Sequence, residues 1–215
     1  MTKTILCFGD SNTHGADPTG GPRYDLHTRW PGVLRDTLGA GYHVIEEGCG
    51  GRTTVHEDPI ESLRSGSKNG AAYLPACLNS HKPLDLVIIL LGTNDLKPRF
   101  AVNASDIARG AGALVDLTLQ SATGPDGARP QVLLIAPPPT TTLDGLAFES
   151  MFAGAHAKSL ALGRWYAAEA SARGVAFLDA GTVIQSSPAD GIHWDRAAHA
   201  ALGAAVAAKA QRLLA

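Results

Sequence analysis

Three residues in the sequence, Ser11, Asp190 and His193, have the side chains that carry out nucleophilic acyl chemistry. A serine hydroxyl is a weak nucleophile near neutral pH, so it needs a base such as histidine, and the histidine needs an acceptor to fix its tautomer. Asp190 and His193 are three positions apart in a predicted loop, where both side chains can turn toward one point. We therefore predict Ser11 as nucleophile, His193 as general base and Asp190 as the carboxylate that orients it.

Acyl transfer also needs hydrogen-bond donors for the negative charge that develops on the carbonyl oxygen. The sequence offers the backbone N–H groups of Ser11 and Gly51 and the side-chain amide of Asn94. Because glycine has no side chain, its amide stays approachable. These three groups are the predicted oxyanion hole.

Each of these assignments has a structural alternative. Ser11 could cap a helix, and Asn94 with Asp95 could form a turn, since Asx side chains bond to their own backbone. His193 could be packed in the core or cap the helix that follows it. The alternatives predict side chains that do not meet at one site.

Short aliphatic runs alternate with longer amphipathic stretches, which is typical of an α/β fold with a parallel sheet. Strands are predicted over 4–8, 42–46, 84–91, 131–136 and 175–178, and helices over 29–38, 71–80, 105–121, 146–173 and 195–214. Residues 85–91 are almost wholly apolar, so this strand should be central. Thr28 is predicted to cap the first helix, and Asn103 or Ser105 is predicted to cap the third. Gly174 is predicted to end the fourth helix.

The predicted fold is therefore α/β, with three layers, α/β/α, around a mostly parallel five-stranded sheet of the flavodoxin-like kind. One domain is predicted over residues 1–215, with surface loops at 16–21, 57–70, 123–130 and 137–144. Ligands of such sheets bind where the strands end at their carboxyl edge. Small, polar and titratable residues follow the first, second, third and fifth predicted strands, so an active site is expected at this edge.

Four sequence blocks lie at these strand ends: Gly9-Asp10-Ser11, Gly48-Cys49-Gly50-Gly51, Gly92-Thr93-Asn94-Asp95 and Asp190–His193. In this order and spacing they resemble the blocks of the SGNH (GDSL-type) hydrolases, and the resemblance covers essentially the whole chain. Within that family the sequence is most similar to bacterial arylesterases and acetyl esterases or acyltransferases. The resemblance implies a serine esterase that hydrolyses acetyl-type esters of aryl, alkyl or sugar alcohols through an acyl-serine, in some relatives with acyl transfer to alcohols. It implies no cofactor.

Asn12 and His14 follow the serine where several relatives carry larger apolar residues. Their polarity favours a small, hydroxylated substrate, so both are candidate substrate-binding residues. Arg52 is a third candidate because it adjoins the oxyanion block, although it could instead order that loop or serve as a surface counter-ion. A narrower alternative is a carbohydrate O-acetyl esterase.

Two more remote classes of function fit the sequence less well. A metallophosphoesterase would need an Asp-x-His ligand pair before Gly9, and the eight preceding residues contain neither type. Full activity in EDTA would separate a serine esterase from such an enzyme. A non-catalytic sugar-binding module would bind ligand without turnover, but the joint presence of Ser11, Asn94, Asp190 and His193 disfavours a decayed site.

The composition of the chain argues against several other classes of function. The chain has 18 Lys+Arg, 20 Asp+Glu and no basic run, so nucleic acid is not expected as a partner. The apolar run at 86–91 is far shorter than the roughly 20 residues that span a bilayer, and no signal segment is recognised, so a mature cytoplasmic protein is expected. Apolar residues within 137–152 exceed what a solvated loop needs, which predicts a homo-oligomer.

The three cysteines, Cys7, Cys49 and Cys77, show no CxxC spacing and no matching histidine ligands, so reduced thiols and no zinc site are expected. Two of the thiols should be buried. Cys49 is interpreted as a small buried packing residue because no electropositive setting is evident. Asp10 is interpreted as an anchor for loop amides.

Overall fold

The computed structural model describes residues 2–215, which form a five-stranded parallel sheet covered by helices. The strands are β1 (Lys3–Gly9), β2 (Tyr42–Gly48), β3 (Leu86–Leu90), β4 (Gln131–Ala136) and β5 (Ala176–Asp179), in the spatial order β2-β1-β3-β4-β5. The helices are α1 (Ser11–His14), α2 (Trp30–Leu38), α3 (Ser62–Ser65), α4 (Gly70–His81), α5 (Ala104–Leu119), α6 (Ala155–Ser159), α7 (Leu162–Arg173) and α8 (Arg196–Leu214). The predicted α/β fold is confirmed.

Side chains that alternate along the strands build two separate cores. In β1, Leu6 and Phe8 pack with the helices α4, α5 and α7, whereas Ile5 and Cys7 pack on the opposite face with α2 and α8. Successive strand residues point to opposite faces, so a strand that is apolar at every position is buried from both sides. All five residues of β3 are buried, as predicted for the central strand.

The strand order has a reversal point between β1 and β3. The chain moves outward from β1 to β2, then crosses back to place β3 on the other side of β1. Loops that leave the carboxyl ends of β1 and β3 therefore diverge and leave a crevice between them. Ser11 follows β1 and Asn94 follows β3, so both lie at this crevice.

Two local predictions were wrong. Residues 146–173 do not form one helix: 146–154 is a series of turns, and helix begins only with α6 at Ala155. Gly154 has φ +75°, a left-handed conformation that an α-helix cannot contain. Thr28 does not cap α2, because its hydroxyl donates to Asp25 Oδ2 at 2.6 Å and Arg29 occupies the cap position.

Other predicted boundaries agree with the structure. Asn103 caps α5 by accepting from the N–H groups of Ser105 and Asp106, and Gly174 ends α7 in the left-handed conformation. The cysteines are free, with Cys7 and Cys77 buried. Cys49 is only partly buried, contrary to prediction, because it lies in the loop after β2 rather than in the sheet. Within residues 2–215, no helix is long and apolar enough to cross a membrane.

Candidate active site

A hydrogen-bonded chain joins Ser11, His193 and Asp190. His193 Nε2 lies 3.0 Å from Ser11 Oγ, and His193 Nδ1 lies 2.6 Å from Asp190 Oδ2. With Nδ1–H donating to the carboxylate, Nε2 is left as the acceptor for the serine hydroxyl. The structure thus brings together three side chains from opposite ends of the sequence, so the alternatives of an isolated cap and a core histidine do not describe Ser11 and His193.

Asp190 is itself held rigidly. Its Oδ1 accepts the backbone N–H groups of Ile192 and His193, each at 2.9 Å, so the tight turn 190–193 aims both side chains. Burial raises the pKa of Asp190, but the hydrogen bond from the His193 ring and the two amide bonds outweigh it, and the pKa lies below its ordinary value. The carboxylate is therefore ionised near neutrality and can stabilise a protonated His193.

Ser11 is placed by its neighbours in the β1–α1 turn. Asp10, not Ser11, is the cap of α1, and its Oδ1 accepts the N–H of Asn12 at 2.9 Å. Asp10 is thus the anchor that the sequence indicated. Gly48 at the end of β2 packs directly on α1, since a Cβ there would lie 2.2 Å from His14 N. A close approach of this kind admits only glycine.

The predicted oxyanion donors lie at the same cavity as the serine. Ser11, Gly51 and Asn94 all line a cavity of about 180 Å³, together with His193. Asn94 begins the short 3₁₀ turn Asn94–Leu96, and its Nδ2 donates to Arg52 O at 3.2 Å, which fixes the amide plane and leaves a second N–H. Gly51 has φ +80°, a conformation in which a residue with a side chain is strained.

The three candidate substrate-binding residues do not line this cavity. Asn12 is buried behind the serine, where its Nδ2 donates to Ile192 O at 3.3 Å. His14 is at the end of α1, and its carbonyl accepts from Arg23 Nε at 2.6 Å. The expectation that these side chains meet substrate is therefore not supported by their positions, because the helix turn after Ser11 directs them away from the cavity.

Arg52 has a structural place instead. Its guanidinium is buried, donates to the backbone carbonyls of Gly9 and Glu47, and packs 4.3 Å from the Phe8 ring centroid. These bonds tie the ends of β1 and β2 together. Arg52 thus orders the loop that carries Gly51, which was the other interpretation of this residue.

The remaining cavity wall is formed by residues that the sequence reasoning did not assign to the site: Glu61, Lys97, Phe148, Met151, Phe152 and Ile192. The Phe148 ring meets the His193 ring edge to face, with centroids 5.8 Å apart. The apolar character of residues 148, 151 and 152 is evident in the sequence, but the sequence analysis assigns these residues to subunit contacts rather than to a cavity wall. Glu61 and Lys97 gave no signal, because nothing in the sequence links their loops to the site.

Two small buried carboxylate networks surround the site. Asp95, next to Asn94, accepts from the N–H and the hydroxyl of Thr54, the hydroxyl at 2.5 Å. Burial raises the pKa of Asp95, and burial likewise raises the pKa of Asp10 to about 6. Both carboxylates hold loops rather than face the cavity.

A serine hydroxyl, an imidazole and a buried carboxylate in this arrangement can attack an acyl carbon and pass its proton to the leaving group, which is the chemistry of serine hydrolases. The chain belongs to the GDSL-like lipase/acylhydrolase family, whose sequence model matches residues 7–201.

Solved structures support the same relationship. The aryl esterase of M. smegmatis is 45% identical with a TM-score of 0.91, and the match covers 99% of this chain and 100% of that one. A carbohydrate acetylesterase from Sinorhizobium meliloti is 43% identical with a TM-score of 0.92, covering 99% and 100%. A carbohydrate acetylesterase family member from the same organism is 38% identical with a TM-score of 0.93, covering 99% of each chain. A search of curated proteins finds no match.

Proposed function

We propose that the protein hydrolyses short-chain, acetyl-type carboxyl esters through an acyl-Ser11 intermediate. The observation that carries this proposal is the Ser11–His193–Asp190 chain, with 3.0 Å and 2.6 Å between its polar atoms, at a cavity that also holds Gly51 and Asn94. The related aryl esterase and acetylesterase structures support the same chemistry.

The first half-reaction forms the acyl-enzyme. His193 Nε2 takes the hydroxyl proton as Ser11 Oγ attacks the ester carbon, and Asp190 stabilises the resulting imidazolium. The carbonyl oxygen becomes an oxyanion that the amides of Ser11 and Gly51 and the Asn94 side chain can stabilise. The tetrahedral intermediate then expels the alcohol, which receives its proton from His193.

The second half-reaction releases the acid. Water gives a proton to His193 Nε2 and attacks the acyl carbon. The second tetrahedral intermediate then collapses, the bond between the acyl carbon and Ser11 Oγ breaks, Ser11 Oγ takes the proton back from His193, and the acid is released. An alcohol can take the place of water in this step, and the product is then a new ester. Acyl transfer to alcohols therefore belongs to the same proposal.

A small acyl group fits the walls of the cavity best. Its volume is about 180 Å³, and Phe148, Met151, Phe152 and Ile192 form its apolar side. We expect acetate esters of p-nitrophenol to be hydrolysed faster than butyrates, and octanoates most slowly, because a long chain requires these side chains to move.

The experiment measures initial rates on p-nitrophenyl acetate, butyrate and octanoate for the wild type, Ser11→Ala and the control Ser171→Ala, which changes an exposed serine on α7. Ser11→Ala should fall to background, whereas Ser171→Ala should match the wild type. Equal rates for Ser11→Ala and wild type would refute the nucleophile assignment. A preference for octanoate would refute the small acyl site.

A narrower candidate is a carbohydrate O-acetyl esterase. Glu61 lines the cavity and can accept hydrogen bonds from sugar hydroxyls, and the related structures include a carbohydrate acetylesterase and a carbohydrate acetylesterase family member. In that case a mono-O-acetylated sugar, whose other hydroxyls stay free, should have a higher kcat/KM than phenyl acetate. Glu61→Ala should lower the value for the sugar ester more than for phenyl acetate.

A homo-oligomer also stays a prediction, as does a cytoplasmic location. The apolar residues of 137–152 largely pack on the chain's own core or line the cavity, so the sequence argument for subunit contacts loses its basis. Ile60 and Leu63, which are 57% and 88% exposed beside Glu61, offer a different apolar surface. Light scattering should give a mass above the 22.3 kDa of one chain, and a monomer mass would contradict the prediction.

A further inference from the structure

A second cluster of reactive side chains lies away from the Ser11 cavity. It consists of Glu47, the residue before the end of β2, and Cys77 and His81, which are four positions apart on α4. Residues i and i+4 of a helix lie on the same face, one turn apart. The helix therefore presents the Cys77 and His81 side chains together toward the end of β2.

The three side chains already lie close enough to share one ion. Their ligand atoms are all within 4.8 Å of one another, and His81 Nε2 is 2.9 Å from Glu47 Oε1. Metal bonds to sulfur, nitrogen and oxygen are about 2.0–2.3 Å long, so small side-chain rotations would place all three donors around one ion. One thiolate, one imidazole and one carboxylate form a donor set that suits zinc and its neighbours rather than magnesium or calcium.

We propose that Glu47, Cys77 and His81 form a binding site for a divalent transition-metal ion, with Zn²⁺ as the preferred occupant and water as the fourth ligand. Cys77 is buried and forms the floor of the site, whereas Glu47 and His81 are partly exposed and leave the site open to solvent on one side. The ligand from Cys77 is the thiolate, so binding of the ion would displace the thiol proton into solvent.

Charge and hydrogen bonding around the cluster are compatible with a cation. The Glu47 carboxylate and the Cys77 thiolate together neutralise a 2+ charge. Arg52 is nearby, over the Tyr73 ring, but it donates to the backbone carbonyls of Gly9 and Glu47. The Glu47 carboxylate accepts from the Tyr73 hydroxyl at 3.2 Å through Oε2, the oxygen that His81 does not contact.

The competing interpretation is a polar network that has no ligand. Glu47, His81 and Tyr73 satisfy one another by hydrogen bonds, and in that case Cys77 is a core residue. The two interpretations differ in the thiol, because only a metal site needs the Cys77 sulfur. A thiolate-specific measurement therefore separates them.

An ion at this site would hold the end of β2 to the carboxyl end of α4. Glu47 directly precedes the segment 48–51 that carries Gly51, so the ion would stiffen the support of the catalytic loop without touching substrate. A ligand that binds only the folded chain stabilises it by mass action. The proposed site is thus structural, and ester hydrolysis is expected to continue in EDTA.

The test uses the whole protein after treatment with a chelator. Zn²⁺ is titrated by calorimetry and by thermal melting, and Co²⁺ is added as an optical probe for a thiolate-to-metal charge-transfer band. The site variants are Cys77→Ser, His81→Ala and Glu47→Gln. The controls are Cys49→Ser and His27→Ala, which change a partly exposed thiol and an exposed imidazole outside the cluster.

The wild type and both controls should bind one Zn²⁺ per chain and show the cobalt–thiolate band. At free Zn²⁺ about 100-fold above the Kd, the ratio of folded to unfolded protein should rise about 100-fold. Each site variant should lose at least about tenfold in affinity, and Cys77→Ser should lose the charge-transfer band.

No saturable binding to the wild type, or unchanged binding and an unchanged cobalt band in Cys77→Ser, would overturn the proposal. Equal loss of binding in Cys49→Ser would place the ion elsewhere and also overturn it. If Cys77→Ser does not fold, as judged by circular dichroism, the more exposed His81→Ala and Glu47→Gln decide the matter. Because the site does not depend on Ser11, this result is independent of the proposed esterase function.

Discussion

Individual side chains at the cavity differ in how far their sequence position reveals their role. Ser11, Asp190 and His193 could be predicted together because they belong to sequence blocks that occur in a fixed order, and because Asp190 and His193 are close enough in sequence to turn toward one point. Asn12 and His14 were not, because their direction depends on the turn of α1 that follows Ser11. Arg52 has a side chain long enough to reach either the cavity or the strand ends, and only packing on Phe8 decides between them.

The Asn94 side chain is expected to contribute through its free N–H in the transition state. Asn94→Ala should lower kcat on p-nitrophenyl acetate by about 10²–10³-fold, with a smaller change in KM, because the donor acts mainly on the developing oxyanion. Steady-state kinetics check this, and Asn79→Ala on the exposed face of α4 serves as the control. A kcat within threefold of wild type would remove Asn94 from the oxyanion hole.

Asp58, a buried carboxylate, joins the loop between β2 and α4 to the segment after β3. Asp58 Oδ1 accepts from the N–H groups of Ile60 and Glu61 and from Arg99 Nη1 at 3.0 Å, while Oδ2 is 3.3 Å from Lys97 Nζ. Burial raises the pKa of Asp58, but these bonds outweigh it and the pKa lies below its ordinary value. Asp58 thereby ties the backbone of Glu61 to the side chain of Lys97, and both residues line the cavity.

Loss of this carboxylate should be costly because Lys97 is only 2% exposed. Asp58→Ala is expected to lower the free energy of unfolding by about 3–5 kcal/mol, since the ammonium group then stays buried without a partner. Urea denaturation measures this, with Arg109→Ala in an exposed ion pair as the control, expected to change it by less than about 1 kcal/mol. The double variant Asp58→Asn/Lys97→Met should be destabilised less than the sum of the two single variants Asp58→Asn and Lys97→Met. A purely additive loss of the free energy of unfolding would contradict the buried-charge argument.

Strands and helices were predictable where their hydrophobic period is unbroken. The five strands and the helices α2, α4, α5 and α8 were predicted within a few residues of their observed ends. The predicted helix over 146–173 was not, because its apolar residues at 148, 151 and 152 have helical spacing but Gly154 turns the chain. Those apolar side chains face the cavity and the core instead.

At the scale of the whole molecule, two buried titratable groups act on stability with opposite signs. Burial raises the pKa of Asp10 to about 6, above its ordinary 3.8, and lowers the pKa of His199 to about 4, below its ordinary 6.5. Between about pH 4 and about pH 6, Asp10 therefore carries more proton in the folded state than in the unfolded state, and His199 carries less. As the pH rises from about 4 to about 6, Asp10 destabilises the fold while His199 stabilises it.

The Asp10→Asn variant isolates one of these effects. Asparagine is also a good helix cap and can keep the bond to the Asn12 N–H. The free energy of unfolding of the variant relative to wild type should increase by about 2 kcal/mol between pH 4 and pH 7, because the variant lacks the carboxyl whose pKa burial raises from 3.8 to about 6. Denaturant titrations at the two pH values check this. Parallel pH curves for the two proteins would show that Asp10 has an ordinary pKa.

The overall architecture was predictable from the alternation of runs, whereas the partners of distant segments were not. The central position of β3 follows from its apolar residues on both faces, whereas the order β2-β1-β3-β4-β5 is given by the structure and was not predicted. That the chain forms one domain stays a prediction, consistent with a sheet that takes strands from both halves. The cluster of Glu47, Cys77 and His81 shows the limit: the sequence analysis finds no histidine that matches the cysteines and predicts no zinc site, and the third side chain of the cluster comes from a strand 30 residues earlier.

The Ser11–His193 contact spans 182 positions of the sequence and has a consequence for how the protein gains activity. His193 lies three residues before the start of α8, which packs on α2, and the buried His199 of α8 accepts from the Trp30 N–H. The nucleophile and its base thus come together only when the last helix docks on the first third of the chain. The time course of recovered esterase activity after refolding would therefore report when this last helix docks. A nascent chain would have no esterase activity until its last segment had been synthesised.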